Sequence, residues 1–116
     1  MKLLVVGSRS ISEFDLDNHI AEDTSLIISG GANGMDKIAE KYADDNKISK
    51  LILRPDYRFY GRVAPLKRNE IMVDIADAVL VVWDGVSRGS AYTIEYAKKK
   101  GKKIKVINIT KTREVE

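Results

Sequence analysis

Five short runs rich in apolar residues divide the chain, with little of the alternation that marks a half-exposed strand. They occupy residues 2–6, 25–29, 50–53, 78–83 and 103–107. A strand buried on one face alternates apolar and polar side chains, whereas a strand covered on both faces is apolar almost throughout. The pattern therefore predicts strands of a sheet that has both of its faces covered.

The segments between these runs carry apolar residues at helical spacing. They predict four helices, over residues 12–21, 34–45, 66–75 and 91–100. Residues 54–65 form the longest stretch without a regular pattern. Because strands that alternate with helices build parallel sheets through right-handed crossovers, we expect an α/β protein. The expected architecture is a doubly wound, five-stranded parallel sheet with helices on both faces.

The length of 116 residues suits one domain, which we assign to residues 1–109, followed by a tail over residues 110–116. The chain has no cysteine and a single histidine, His19. Disulfide frameworks, thiolate zinc sites, cysteine nucleophiles and multi-histidine metal sites are therefore excluded. We expect neither a metal nor a cofactor, and we expect His19 to take no part in function.

The N-terminal apolar run is too short for a signal peptide, and no run approaches the roughly 20 residues of a membrane span. We therefore expect a cytoplasmic protein. The net charge is +3, and the excess is local. It comes from a lysine patch without acidic residues, formed by Lys98, Lys99, Lys100, Lys102, Lys103 and Lys105. This patch fits either a solvated helix end and strand edge or a nucleic-acid contact.

Three of the predicted strands end in segments rich in glycine and hydroxyl groups. The carboxyl ends of parallel strands meet at one edge of the sheet, where ligands bind. Glycine lets the backbone approach an anion, and a helix N-terminus offers free N–H groups and a partial positive charge. The sequence therefore predicts a phosphate-binding site. Its candidate residues are Gly7, Ser8, Arg9, Ser29, Gly30, Gly31, Ala32, Asn33, Gly34, Asp36, Asp84, Gly85, Ser87, Arg88, Gly89 and Ser90.

These loops do not match the three-glycine dinucleotide pattern or the P-loop, which disfavours NAD binding and ATP hydrolysis. Lys67 and Arg68 could add positive charge, and Asn69 follows them. Arg68 fits either a phosphate or ribose contact or an exposed cation in the first turn of a helix. Asp36 fits either a ribose contact or a carboxylate that complements a helix dipole.

Several other residues leave two interpretations open. Glu95 fits either a general acid or base or an ion pair with Lys99 one helical turn away. Ser90 fits a helix cap or a phosphate contact, and these two roles share one geometry. Four aromatic residues fit either base stacking or a small cluster that anchors the long loop. They are Tyr57, Phe59, Tyr60 and Trp83.

Taken together, four motifs resemble a known superfamily. They are Gly7-Ser8-Arg9, residues 29–36, Tyr60-Gly61 followed by Arg68-Asn69, and residues 84–90. Over roughly residues 1–107 the chain is similar to the SLOG superfamily, which includes the DNA-processing protein DprA and the "lonely guy" phosphoribohydrolases. The combined pattern is also similar to that of the small YspA-like members of this superfamily. The resemblance implies a Rossmann-like domain that binds a nucleotide or a nucleotide-derived ligand.

The resemblance implies three functions. The first is a ligand-binding or sensing module, and the second is a nucleoside-monophosphate phosphoribohydrolase. The third is DprA-like DNA binding through the lysine patch. The hydrolases use an arginine, matched here by Arg68, and a glutamate four residues after a glycine. Here Thr93 stands four residues after Gly89, and Glu95 comes two residues later. A homodimer through an apolar helix face is also compatible with the resemblance.

Overall fold

A computed structural model describes residues 1–109, so the predicted tail over residues 110–116 lies outside the described residues. The five strands form one sheet in the order β3-β2-β1-β4-β5, and all neighbouring strands are parallel. This confirms the predicted five-stranded parallel sheet of a Rossmann-like α/β fold. The strands are β1 (Lys2–Gly7), β2 (Leu26–Ser29), β3 (Ser49–Ile52), β4 (Ala78–Trp83) and β5 (Lys103–Asn108).

Helices cover both faces of the sheet. They are α1 (Met35–Asp45), α2 (Tyr57–Tyr60), α3 (Ala64–Ile75) and α4 (Arg88–Lys99), with a 3-10 turn over Gly61–Val63. Successive side chains of a strand point to opposite faces, so Leu3 and Val5 pack with α1, while Leu4 and Val6 pack with α3 and α4. The consecutive apolar residues of β1 and β4 thus contribute to two separate cores. No helix among residues 1–109 is long and apolar enough to cross a membrane.

The predicted helix over residues 12–21 is wrong. This segment is irregular and contains only a turn over residues 17–19 and a bend at residue 20. Ile11 and Leu16 anchor it in the core beside α1. The Asp15 carboxylate accepts a hydrogen bond of 2.9 Å from the Asp17 N–H, a local contact that competes with helical pairing. The segment covers its face of the sheet without a helix because a few apolar anchors are sufficient there.

Two further boundaries differ from the prediction. The stretch over residues 54–65 is not irregular throughout, since it contains α2 and the 3-10 turn. The Asp56 carboxylate caps α2 by accepting from the Phe59 N–H at 3.1 Å. Helix α4 begins at Arg88, three residues before the predicted start at residue 91. The loop after β4 is therefore shorter than expected, and the first turn of α4 lies beside the strand ends.

Gly7, at the end of β1, packs closely against both β4 and the first residue of α1. A Cβ atom there would lie 2.5 Å from the Val82 carbonyl oxygen and 2.6 Å from the Met35 Cβ. We predict that Gly7→Ala lowers the free energy of unfolding by roughly 1–3 kcal/mol, because neither neighbour can move freely. Urea unfolding would measure the loss. Gly89→Ala is the matched control, since nothing lies within 4 Å of its Cβ position; an equal loss in both variants would contradict the packing argument.

Candidate functional site

A cleft of about 430 Å³ opens at the carboxyl ends of β1 and β4. These two strands are neighbours in the sheet, yet β1 is also paired with β2 while β4 is paired with β5. Chain connections therefore leave the two strands in opposite directions, which opens a crevice between them. The lining residues are Val6, Gly7, Arg9, Ser10, Ala32, Asp36, Pro65, Leu66, Arg68, Asn69, Met72, Asp84, Ser87, Gly89, Ser90 and Thr93.

The loop after β4 is held in place by its own polar groups. The Asp84 carboxylate accepts hydrogen bonds of 2.9 Å from the N–H groups of Val86 and Ser87. These bonds, the Val86 bond above all, hold the pKa of Asp84 below its ordinary value. The Trp83 indole N–H donates to the Ser87 carbonyl at 3.0 Å. The hydrogen bonds of Asp84 and Trp83 together hold Ser87 at the start of α4, where it lines the cleft.

The first turn of α4 faces the cleft. The first N–H groups of a helix have no acceptor within the helix itself, and they carry the positive end of its dipole. In α4 these groups belong to Arg88, Gly89 and Ser90, and no side chain caps them. Space beside Gly89 is open, because a Cβ atom there would have no neighbour within 4 Å. The first turn of α4 therefore presents accessible backbone N–H donors to the cleft.

In the glycine-rich loop after β2, three N–H groups have acceptors inside the protein. The Gly31 N–H donates to the Ser29 hydroxyl at 3.3 Å, and the Ala32 N–H donates to the Asp36 carboxylate at 3.0 Å. The Met35 N–H donates to the Ser8 carbonyl at 3.3 Å. The two predicted strand-end loops thus meet at one cleft, and part of the loop after β2 is already bonded within the protein.

Asp36, in the first turn of α1, accepts from the Ala32 N–H of the preceding loop. Its side chain is buried, and burial raises the pKa of Asp36 above its ordinary value. The Ala32 hydrogen bond and the positive charge of Arg68 oppose this shift, whereas the nearby carboxylate of Glu40 adds to it. Glu40 in turn accepts a hydrogen bond of 2.7 Å from the Ser29 hydroxyl. The acidic pair therefore belongs to a buried polar network behind the cleft.

Arg68 lies on α3 and is only 8% exposed. Its Nη1 donates to the Gly30 carbonyl at 2.7 Å and to the Leu53 carbonyl at 3.2 Å, and its Nε donates to the Asn69 side chain at 2.8 Å. Burial lowers the pKa of Arg68, although the guanidinium stays charged. The expectation of a solvent-exposed cation in a first helical turn is therefore wrong.

One end of the Arg68 guanidinium remains available. Its Nη2 makes no hydrogen bond with any residue among 1–109 that the structure describes. Among residues 1–109, Thr24 Oγ1 is the one side-chain polar atom that is fully buried and has no hydrogen-bond partner. Because Nη2 also has no partner, it must be accessible to solvent. Since Arg68 lines the cleft, a charged donor with free hydrogen-bonding capacity stands in its wall.

Gly30 makes the position of Arg68 possible. A Cβ atom at Gly30 would lie 2.6 Å from the Arg68 Nη1 and 3.0 Å from an Asp36 carboxylate oxygen. Gly34 has a positive φ of 78° and passes close to the carbonyls of Ser8 and Arg9. These glycines act through close packing within the protein and not through contact with the cleft.

The remaining sequence-predicted residues divide into two groups. Three predicted residues add polar groups to the cleft wall, namely Arg9, Asn69 and Asp84. Ser10 was not among the predicted residues, but it also lines the cleft. Several predicted residues lie outside the set that lines the cleft, namely Ser8, Ser29, Gly30, Gly31, Asn33, Gly34, Gly85, Arg88 and Glu95. Glu95 instead lies in a separate groove of about 310 Å³ between α4 and β5, together with Trp83 and Lys98.

Thr93 occupies the position four residues after Gly89, and it lines the cleft. Its hydroxyl donates to the Gly89 carbonyl at 2.9 Å. Helical spacing places residues 89 and 93 on the same side of α4, whereas Glu95 is rotated away from them. Five residues that line the cleft were not predicted from the sequence, namely Thr93, Pro65, Leu66, Val6 and Met72. Of these, Thr93 could have been identified from its helical spacing to Gly89.

No family model, curated protein or solved structure matches this chain. Among residues 1–109, no three His, Asp or Glu side chains are grouped in a way that could hold a metal ion. The arrangement of the cleft itself therefore carries the functional argument. The cleft combines the uncapped N-terminus of α4, an arginine whose Nη2 has no hydrogen bond, and several hydroxyl groups. It lies between β1 and β4, where the chain connections leave the sheet in opposite directions.

The raised pKa of Asp36 makes a prediction for the pH dependence of stability. A carboxyl group with a higher pKa in the folded state binds more protons there than in the unfolded state. The free energy of unfolding should therefore fall as pH rises from the ordinary aspartate pKa of 3.8 through the raised folded-state pKa. We expect wild type to lose stability across this window relative to Asp36→Asn, measured by chemical unfolding at several pH values. A constant difference between the two proteins would contradict the burial argument.

Proposed function

We propose that the chain is a SLOG-type domain that binds a nucleotide or a nucleotide-derived ligand in the cleft between β1 and β4, as a ligand-binding or sensing module. The single observation that carries the proposal is the pairing of two cationic features in one cleft. These are the uncapped first turn of α4 and the free Nη2 of the buried Arg68.

The phosphate is assigned to the first turn of α4. Backbone N–H groups and the helix dipole both favour an anion there, and the absence of a side chain at Gly89 allows close approach. An arginine with one end held by the protein presents its other end in a defined direction, which limits the entropy lost on binding. Neutral ligands are disfavoured, because the first turn of α4 and the Arg68 Nη2 are both positive donors and neither has an acceptor within the protein.

The remainder of the cleft suits a sugar with an attached group. Its volume of about 430 Å³ lies within the range of small-molecule sites, roughly 300–1,000 Å³. Ser10 and Asn69 offer donors and acceptors for the hydroxyl groups of a sugar. Leu66 and Met72 supply apolar surface for a ring. A phosphate, a hydroxylated sugar and a flat ring are the parts of a nucleotide.

Binding without hydrolysis is the form of the proposal that the cleft favours. Cleavage of an N-glycosidic bond needs a carboxyl group that can transfer a proton, and the similar hydrolases use a glutamate where this chain has Thr93. The two carboxylates that line the cleft, Asp36 and Asp84, instead accept hydrogen bonds from backbone N–H groups of the protein. Glu95 lies in the other groove. The DNA-binding alternative has no further support, since Lys102 donates to the carbonyls of Asp74 and Ala76 and Lys100 lies over the Tyr96 ring.

Gly89 offers a clean test, because the position is open and its φ is not positive. We predict that AMP raises the Tm of wild type and of Gly89→Asn, and that Gly89→Asp abolishes this rise. An aspartate there suits the helix dipole and so preserves folding, but it places negative charge where the phosphate would bind. At a hundred times Kd, AMP would stabilise wild type by about 2.7 kcal/mol.

Thermal shift measurements with AMP and ribose 5-phosphate would provide the result, and the asparagine variant is the matched uncharged control. An undiminished shift in Gly89→Asp would remove the phosphate from α4. If neither compound shifts wild type at any concentration, the proposal of nucleotide-derived ligands fails. Arg68→Ala is a poorer probe, since it leaves the carbonyls of Gly30 and Leu53 unpaired and should cost roughly 1–3 kcal/mol of stability by itself.

A second prediction separates binding from hydrolysis. Incubation of the protein with AMP should release no adenine, because the cleft lacks a glutamate at the position of Thr93. Chromatographic measurement of free adenine at high protein concentration would test this expectation. Release that persists in Gly89→Asn and disappears in Gly89→Asp would show that the same cleft is an active site, and would replace the binding module by the phosphoribohydrolase.

A further inference from the structure

The two faces of the sheet are covered in different ways. One face is packed by two helices, α3 and α4. The other face is packed by α1 and by the irregular segment after β1, which Ile11 and Leu16 anchor. Parallel strands are usually connected through helices, which pack side by side. Because the connection from β1 to β2 has no helix, a groove of about 600 Å³ is left between residues 13–17 and α1. We refer to it as the α1 groove.

Apolar side chains from both walls line the α1 groove. Phe14 and Leu16 come from the irregular segment, while Ile38 and Tyr42 lie one turn apart on α1. Leu16 is buried, whereas the other three are only partly buried beside the core. They therefore leave apolar surface in contact with water, and a bound molecule that carries apolar groups would cover it.

The irregular segment also gives the groove a negative wall. Glu13, Asp15 and Asp17 alternate with the two apolar residues, and all three are exposed. Among residues 1–109, none of these three carboxylates forms an ion pair. On the opposite wall Lys41 is paired with Asp45 at 2.7 Å, so the charges of that wall balance. The negative charge of the α1 groove is thus concentrated along residues 13–17.

This charge distribution indicates which kind of partner fits. The whole chain has a net charge of +3, so a basic partner is attracted locally by this wall and not by the molecule in general. A small cation would leave the apolar lining uncovered, and an acidic partner would be repelled. A partner that is both basic and apolar satisfies the two features together.

The shape of the groove favours a helical partner. Ile38, Tyr42 and Asp45 recur at helical spacing and form one stripe of α1 along the groove. A second helix can pack beside such a stripe with its axis 8–10 Å away, at roughly the usual distance between packed helices. Amphipathic helices commonly bind in this way, with the apolar side in a groove and the charged side at its rim.

We propose that the α1 groove binds a basic amphipathic helix of a partner protein. The apolar side of that helix packs against Phe14, Ile38 and Tyr42, and its lysine or arginine side chains lie beside the carboxylates of residues 13–17. The α1 groove and the cleft share no lining residue. The inference is therefore independent of the proposed function and of its ligand.

A synthetic peptide tests the groove directly. The probe is a labelled helical peptide of about 14 residues, or four turns, with leucine along one side and lysine elsewhere. Fluorescence anisotropy should show saturable binding to wild type. A peptide with glutamate in place of lysine should not bind, and neither should a peptide with serine in place of leucine.

Charge reversal tests the negative wall. Asp17→Lys and Glu13→Lys should each raise the peptide Kd at least about tenfold, because each places a cation beside the lysines of the peptide. Glu22→Lys is the matched control, since Glu22 is exposed, undergoes the same charge change and does not line the groove. Its Kd should equal that of wild type. Thermal unfolding would establish that each variant is folded.

A polar substitution tests the apolar lining. Ile38→Thr should raise the peptide Kd about fourfold or more, because it removes apolar surface that the peptide would bury. Ile75→Thr is the matched control on α3, outside the groove, and should leave the Kd unchanged. The proposal is overturned if the leucine-lysine peptide does not bind wild type, or if both charge reversals leave its Kd unchanged. Equal binding of the leucine-free lysine peptide, or no effect of Ile38→Thr, overturns the amphipathic partner.

Discussion

The cleft depends on the hydrogen bonds of one buried guanidinium. Arg68 joins the end of β2, through the Gly30 carbonyl, to the end of β3, through the Leu53 carbonyl, and holds both against α3. A buried charge is tolerated only where its donors find partners, and most donors of Arg68 are bound to protein oxygens. Its Nη2 takes part in none of these bonds, and Arg68 lines the cleft. The same side chain thus holds the wall of the cleft together and, under the proposed function, contributes a positive group to ligand binding.

Helices α1 and α4 both begin at the carboxyl edge of this sheet, and no side chain caps either of them. Before α1 the Asp36 carboxylate accepts from the Ala32 N–H, and the Met35 N–H at the start of the helix donates to the Ser8 carbonyl. Before α4 the Asp84 carboxylate accepts from the N–H groups of Val86 and Ser87. Under the proposed function the first turn of α4, next to the open position at Gly89, receives the phosphate.

Helix α3 has a distinct role on each of its two sides. Its inner side contributes Met72 and Val73 to the core and Arg68 to the cleft wall. Its outer side carries isoleucines in water between charges of opposite sign. The charged side chains on the outer side have partners within the chain, since Lys67 Nζ lies 3.7 Å from a Glu70 carboxylate oxygen and Asp74 accepts from the Tyr96 hydroxyl at 2.9 Å.

The amino-acid sequence alone determined the parallel sheet and the meeting of three strand ends at one edge, because consecutive apolar residues require cover on both faces and parallel strands share a direction. It did not determine the segment over residues 12–21, where core contacts of Ile11 and Leu16 replaced a helix. Nor did it determine which loop keeps free amides, or that Thr93 and not Glu95 reaches the cleft. Those outcomes depend on hydrogen bonds and packing between residues far apart in the chain, such as Arg68 with Gly30, and local patterns carry no record of such contacts.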